Sequence, residues 1–440
     1  MLTVLNQSWA LLLGMFLLML GNGLQGTLLG VRGSLEGIDA ATLGIVMSAY
    51  FVGFLGGSRL APSMLRRVGH VRVFAALGSL VSAAFILYAA VVHPAAWFVF
   101  RLLVGFCFSG IYVVAESWLN NQATNETRGQ TLSLYLIVQM GGIVLGQVLL
   151  NAADPGGYTL FVMISVLVSI SFAPILLSTS PTPHHATQRP MPLRKLLETS
   201  PLASVGMFLL GGIFAALFAM SSVYATEAGL SIAQTSAFVT AIFLGGLVCQ
   251  YPIGWLSDRI DRRRLIVGTM LVGAAACAAA LTVAQTPRAL VACAFVIGGT
   301  ANPLYGLLIA YANDHLELED MAGASSGLLF VNGVGAMTGP VIVGQLMGAF
   351  GPGAFFGFVA ALMSAVAAYA LWRMTRRAAV PASEVLPYVA VSSRTSVYGL
   401  GVAAEIAEEE RLEQLELGED GATAEAIEDE AGATGTGAGR

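Results

Sequence analysis

Twelve apolar stretches of membrane-span length follow one another along this chain, and they constrain its fold more than any other feature. They run at 9–31, 41–61, 73–92, 96–117, 130–152, 158–178, 201–225, 232–254, 265–286, 289–312, 322–346 and 354–374. A helix rises about 1.5 Å per residue, so roughly 20 apolar residues cross a hydrocarbon core about 30 Å thick. Lipid offers no partner to backbone N–H and C=O groups, and a helix satisfies them within one segment. The stretches are separated by turn chemistry such as His93-Pro94, Asp154-Pro155-Gly156 and Gly351-Pro352-Gly353. The expectation is an all-α membrane protein.

Composition excludes the soluble alternative. Only 11% of the 440 residues are charged and 56% are hydrophobic, where a soluble domain carries about 25% charged residues. The first stretch lacks a basic leader and an A-x-A site, so it reads as a retained span. Cys107, Cys249, Cys277 and Cys293 all fall in apolar stretches without CxxC spacing, which suits small buried hydrophobes rather than metal or redox chemistry.

Charge divides the chain into two unlike pieces. From Ala378 to Arg440 there are 13 acids against 3 arginines; the body before it has 18 basic residues against 13 acids. With both termini cytoplasmic, the cytoplasmic loops and helix ends collect 15 Lys and Arg and the other side keeps Arg32 and Arg288, a strong positive-inside asymmetry. The Pro-rich segment 179–199 separates six spans (1–178) from six more (200–377), with 378–440 as an acidic tail expected to be disordered. Within that tail, Val402 to Leu417 also has the pattern of an amphipathic helix. The adjacent His184 and His185 are too few for a metal site in such a linker. The halves repeat: Gly53 and Gly245 lie 192 residues apart, as do Gly69 and Asp261, and Gly146-Gln147 echoes Gly344-Gln345. Internal repeats of this kind mark many secondary transporters.

Polarity sits in every third span. Spans three, six, nine and twelve are bland enough to face lipid, whereas spans one, four, seven and ten carry Asn22, Gln25, Arg101, Ser109, Tyr112, Ser221, Ser222, Tyr224, Asn302 and Tyr305. Such groups are costly in hydrocarbon unless they face protein or a wet cavity, so these residues form the candidate solute cavity. Arg101, Gly105, Ser109, Tyr112 and Glu116 share one helical face. Arg101 either meets an anion in the cavity or snorkels to neighbouring carbonyls. The Gly21-x-Gly23 element of span one allows close packing, here against span five, or a local break. At the other end of the bundles, Asp258, Arg259, Arg262 and Arg263 form a basic turn after span eight, with Asp314 as the expected ion-pair partner. In the first half Glu116 is the expected partner for Arg66, Arg67 or Arg128. These residues are the candidate cytoplasmic latch.

The turn Gly254 to Arg264 resembles the loop signature of the major facilitator superfamily, matching at Gly254, Asp258, Arg259, Arg262 and Arg263, with Asp261 in place of the second glycine. The first-half copy, Arg66-Arg67-Val68-Gly69-His70, has arginine where aspartate is expected. Arg101-x-x-x-Gly105 and Glu116 with Arg128-Gly129 are similar to further elements of that family. GNGLQGTLLGVRGSLEG, MSAYFVGFLGGSRLAP and AESWLN resemble its YcaD-like branch. The resemblance implies two six-helix bundles and a monomeric plasma-membrane transporter of a small solute, working by alternating access without cofactor.

No Walker A motif occurs, and neither H-E-x-x-H nor G-x-S-x-G is present, so neither ATP-driven transport nor hydrolysis is expected. The partners expected are a small organic solute, membrane lipid and protons, and no nucleic acid. Proton coupling would fall to Glu116, to Glu36 or Glu227 at the outer ends, or to the solute itself; uniport stays open. Arg101 and Arg32, with few cavity carboxylates, point to an amphipathic or anionic solute. A membrane sensor or scaffold signalling through the acidic tail is the alternative from another class.

Overall fold

Lipid-length helices form where the sequence places them, and local capping sets their ends. The computed structural model describes residues 2–176, 191–283, 286–376, 386–392, 394–396 and 398–412. His184, His185 and most of the central linker lie outside these residues. The helices are α1 (Leu2–Leu35), α2 (Ala40–Val68), α3 (His70–Ala90), α4 (Pro94–Gln122), α5 (Asn125–Leu149) and α6 (Thr159–Ser171, continued by Ala173–Leu176). After a short helix at Leu193–Thr199, α7 runs as Pro201–Ala215, a π-helical turn at Ala216–Met220, and Ser221–Glu227. Then come α8 (Ile232–Ser257), α9 (Arg262–Thr282), α10 (Pro287–Asn313), α11 (Leu318–Phe350) and α12 (Ala354–Met374). A last helix, α13, spans 398–412. Among the described residues, 12 helices are long and apolar enough to span a bilayer.

The ends follow known signals. Asp39 accepts a hydrogen bond from the Thr42 amide at 2.9 Å to start α2, and Asp261 accepts one from the Arg263 amide at 2.9 Å to start α9. Pro94, Pro201 and Pro287 occupy first-turn positions, where a missing N–H costs nothing.

The repeat seen in the sequence is a repeat of backbone bonds. After α1, Glu36 N, Gly37 N and Ile38 N donate to Arg32 O, Ser34 O and Gly33 O; after α7, Ala228 N, Gly229 N and Leu230 N donate to Tyr224 O, Thr226 O and Ala225 O. Gly37 and Gly229 both take φ +75°, which L side chains rarely adopt. This register is strictly 192 residues, so Glu36 matches Ala228 rather than Glu227. Equivalent glycine crossings bring α2 onto α4 and α8 onto α10, with the register one residue longer in α4 and α10. Gly53 faces Leu102 O and Gly105 faces Tyr50 O in the first half; Gly245 faces Phe295 O and Gly298 faces Ile242 O in the second.

Each half closes around such pairs. In the first, α1 also packs on α5 and α6, and α3 on α4 and α6; in the second, α7 packs on α11, and α9 on α10 and α12. The halves meet through α2 with α11, α5 with α8, and α1 with the last part of α7. In their most apolar stretches, spans one, four, seven and ten are 67–78% buried, against 33–44% for spans three, six, nine and twelve. The bland helices therefore form the rim. Helix α1 is unbroken: Gly23 packs on Ile143 of α5 and Gly21 on Ile164 and Val168 of α6. The break falls instead in α7, at the π-helical turn.

Gly298→Val should force α8 and α10 apart, because its added carbons meet the Ile242 carbonyl rather than a movable side chain. Overpacking costs about 1–3 kcal/mol. The expected result is a melting temperature a few degrees lower for the purified protein; an unchanged value would remove the crossing from the list of determinants.

Candidate functional site: a central cavity and its basic-face mouth

Between the halves lies a cavity that, counted with its open mouth, takes in about 860 Å³. Asn22, Gly26 and Thr27 of α1, Tyr50 and Phe54 of α2, and Arg101 of α4 line one side. Phe214 and Phe218 of α7, Phe243 of α8 and Asn332 of α11 line the other. The three phenylalanines form a ladder: Phe214 stacks on Phe218 at 5.3 Å between centroids, and Phe218 on Phe243 at 4.9 Å. The π-helical turn carries Phe218, and such turns are frequent at functional sites.

Arg101 is 5% exposed and rigidly held. Its Nη1 donates to Gln25 Oε1 at 2.8 Å, its Nη2 to Met47 Sδ at 3.1 Å, and its guanidinium lies 5.2 Å from the Tyr50 ring centroid. Arg101 Nε and Gln25 Nε2 are buried without a partner among the described residues. No Asp or Glu is among the described residues lining the cavity. A buried charge without a counter-ion is costly, and Arg101 has no ion pair among the described residues.

The other expected cavity residues separate. Gln25 lies behind the wall and holds Arg101. Ser109 packs on Gly57 of α2, and Tyr112 sits between Phe54, Phe108 and Met19, donating its hydroxyl to Met19 Sδ at 3.5 Å. Ser221 is buried in α7, and Ser222 faces Gly30 of α1. Tyr224 corrects the expectation most clearly: it packs among Phe238, Phe355 and Phe356, with centroids 4.8–5.5 Å away. The extra residue in the π-helical turn changes the helix phase, turning Tyr224 toward α8 and α12. Asn302 lines a separate space of about 360 Å³ with Gln250 and Ser392. Tyr305 packs 6.3 Å from Phe214, with its hydroxyl buried and unpartnered among the described residues.

At the face that carries the arginine-rich turns, Arg262 is the hub. It pairs with Asp314, donates to Ser257 Oγ at 3.0 Å and to Ala310 O at 3.2 Å, and lies 3.5 Å from Asp258. Burial raises the Asp314 carboxyl above the usual carboxylate range despite this guanidinium, and burial raises Asp258 too. Arg263 turns back onto Asp261 at 2.7 Å, and Arg259 stacks 3.9 Å over its own Trp255. Of the signature arginines, then, Arg262 joins the α8–α9 turn to the end of α10.

The first half differs from expectation. Glu116 meets none of Arg66, Arg67 and Arg128; one of its oxygens accepts from the Ser396 amide at 2.7 Å. Arg128 pairs with Glu405 at 3.0 Å, while Arg66 and Arg67 are exposed without an ion pair among the described residues. The physical reason is that residues 386–412 stand in the mouth between the halves. Leu386 N donates to Asp314, Leu386 O accepts from Arg262, and Tyr388 N donates to Asp258 at 2.8 Å. Arg394 reaches the central cavity. The expectation of a disordered tail is therefore revised for residues 386–392, 394–396 and 398–412, which are packed and end in α13; the remaining tail residues lie outside the described residues.

Two pseudo-symmetric six-helix bundles around a central cavity define a membrane transporter for a small solute. The chain matches the Major Facilitator Superfamily at residues 11–242 and 202–402 and belongs to that family. It is 25% identical over 355 residues to the uncharacterized MFS-type transporter Ent638_1421 of Enterobacter sp. (strain 638), covering 80% of this chain and 92% of that one. It is 26% identical over 356 residues to the uncharacterized MFS-type transporter YcaD of Escherichia coli O7:K1 (strain IAI39), with the same coverage of 80% and 92%. The fold is similar to a substituted form of the nucleoside transporter NupG, with a TM-score of 0.72 at 14% identity over 83% of this chain and 99% of that one. It is also similar to a bacterial homologue of the human lysosomal transporter Spinster, in an inward-facing and unoccupied conformation: TM-score 0.66, 14% identity, 92% and 98% coverage.

Asp314→Ala leaves Arg262, 3% exposed, without its main counter-ion. Breaking such a buried pair costs about 3–5 kcal/mol. Thermal unfolding of purified protein should show a large loss for Asp314→Ala, with part of it recovered in Arg262→Met/Asp314→Ala; equal losses in both would contradict the pairing.

Proposed function

We propose that this chain is a secondary transporter of a small organic anion with a flat apolar body, working by alternating access. Arg101 carries the reading: it is a buried, pre-oriented cation on a cavity wall without carboxylates among the described residues. A carboxylate or phosphate on the solute would supply the missing counter-ion, and the phenylalanine ladder opposite would stack its apolar part. Asn22 beside Arg101 and Asn332 on the opposite side add polar contacts. The family supports a plasma-membrane location and the arginine asymmetry supports both termini being cytoplasmic, so the mouth with residues 386–412 is the cytoplasmic one in this reading. Arg262, Asp258 and Asp314 act in this reading as the latch of that mouth.

A panel of organic anions and neutral analogues, screened by thermal shift on purified protein, tests the solute class. Arg101→Ala should raise KM for a hit anion about tenfold or more, the scale of a lost charge-assisted contact. Arg101→Lys should recover little, because lysine lacks the planar fork that holds Gln25. Retained affinity in Arg101→Ala refutes the anion reading.

Glu116 carries the coupling proposal, as the one carboxylate within a span among the described residues apart from Glu227 at the last residue of α7. Uptake into proteoliposomes should respond to an imposed pH gradient, and Glu116→Gln should abolish that response while leaving counterflow. No response in the unmodified protein would make it a uniporter.

A further inference from the structure

The mouth on the basic face is a docking surface, and its occupant is a segment of the same chain. We infer that residues 386–412 are a built-in stopper, held by both bundles, which has to leave before the mouth can close. On the second bundle, the Tyr388 hydroxyl accepts from Gln250 Nε2 at 2.8 Å, in addition to the Leu386 and Tyr388 backbone bonds to Arg262, Asp314 and Asp258. The Tyr388 ring lies in a space kept open by glycines: a Cβ at Gly254 or Gly306 would come within 2.5 Å or 2.6 Å of it. On the first bundle, Ser396 binds Glu116 and Glu405 binds Arg128. Helix α13 buries Val402, Ala403 and Ile406 against the main core, and Ala404 and Ala407 against Met321 and Leu386.

Two further observations give the stopper its consequence. At the opposite face the bundles already touch: Gly44 of α2 packs on Pro340 and Gly344 of α11, and Ser236 of α8 donates to the Gln147 carbonyl of α5 at 2.6 Å. One side is therefore shut, and the other is held apart by chain. Between the two anchors, the Arg394 guanidinium lies 5.1 Å from the Phe218 ring centroid and 5.7 Å from that of Phe243, on the ladder that walls the cavity. It occupies space that a solute on that ladder needs. Docking of the segment thus opposes both closure and loading. This inference rests on alternating access and on no particular solute.

The test follows the mouth directly and needs no solute. Spin labels are placed by Arg72→Cys and Arg264→Cys, both exposed at the basic face, with the four native cysteines replaced. Electron–electron distances are then measured in the full chain and in a chain ending at residue 377. The full chain should show one long distance; the shortened chain should add a shorter population as the mouth closes. A synthetic peptide of residues 384–412 should bind the shortened chain and restore the long distance, with the Tyr388→Ala peptide at least tenfold weaker. In the full chain, Arg128→Glu and Glu405→Arg should each raise the short population, and their combination should lower it again. This series carries the test if the shortened chain does not fold. Identical distance distributions in all forms, or a peptide that does not bind, overturn the proposal. Restoration by unlabelled full chain in trans assigns the segment to a second copy and overturns the intramolecular docking. An Arg101 result of either kind leaves these distances unaffected, so the two proposals fail separately.

Discussion

The absence of hydrogen-bond partners in hydrocarbon governs this structure before any side chain does. It forces each span to be a helix, and it removes the hydrophobic drive for one helix to seek another. What remains is close packing and a few buried polar contacts. The glycine crossings of α2 with α4 and α8 with α10 use the first, letting backbone meet backbone. Gln147 uses the second: it donates to Gly23 O at 2.7 Å and accepts from Thr27 at 2.6 Å, tying α5 to α1. Every later feature is mounted on this frame.

The two bundles share a frame without sharing chemistry. Their first turns agree bond for bond, yet the residue matching Arg32 is Tyr224, and α7 has a π-helical turn where α1 runs straight. The latch is asymmetric for the same reason. Arg262 finds Asp314 within its own bundle, while the degenerate first-half turn leaves Arg66 and Arg67 in solvent and Glu116 bound to Ser396. A repeat preserves backbone geometry because helix crossings demand it; the polar residues laid on that geometry are free to diverge.

Electrostatics gives the cavity its direction. One guanidinium comes from α4, deep in the fold, and a second from Arg394, far along the chain. Among the described residues neither meets a carboxylate in an ion pair, and each lies against aromatic rings. A wall of this kind favours negative charge, and Arg394 is accommodated there by the ring faces of Phe218 and Phe243 rather than by any counter-charge.

The twelve spans, their grouping in sixes, the bland rim helices and the basic face were all legible in the sequence. Each follows from local quantities: apolar length, turn chemistry and arginine position. The burial of Arg101 on the cavity wall was legible too, since a charge within a span avoids lipid. Tyr224 misled because a polar residue in span seven was assigned to the cavity by its polarity alone, and the π-helical turn sets which way it faces. Phe214, Phe218 and Phe243 left no signal, because an aromatic residue on a cavity wall reads the same as one facing lipid. Arg394 and the docked segment were hidden for a different reason. An acidic tail has the composition of a solvated chain, and only the mouth between two finished bundles provides the surface that orders it. Sequence alone settled what each helix must be; the tertiary structure decided which faces meet, because that choice depends on surfaces that exist only once the helices have packed.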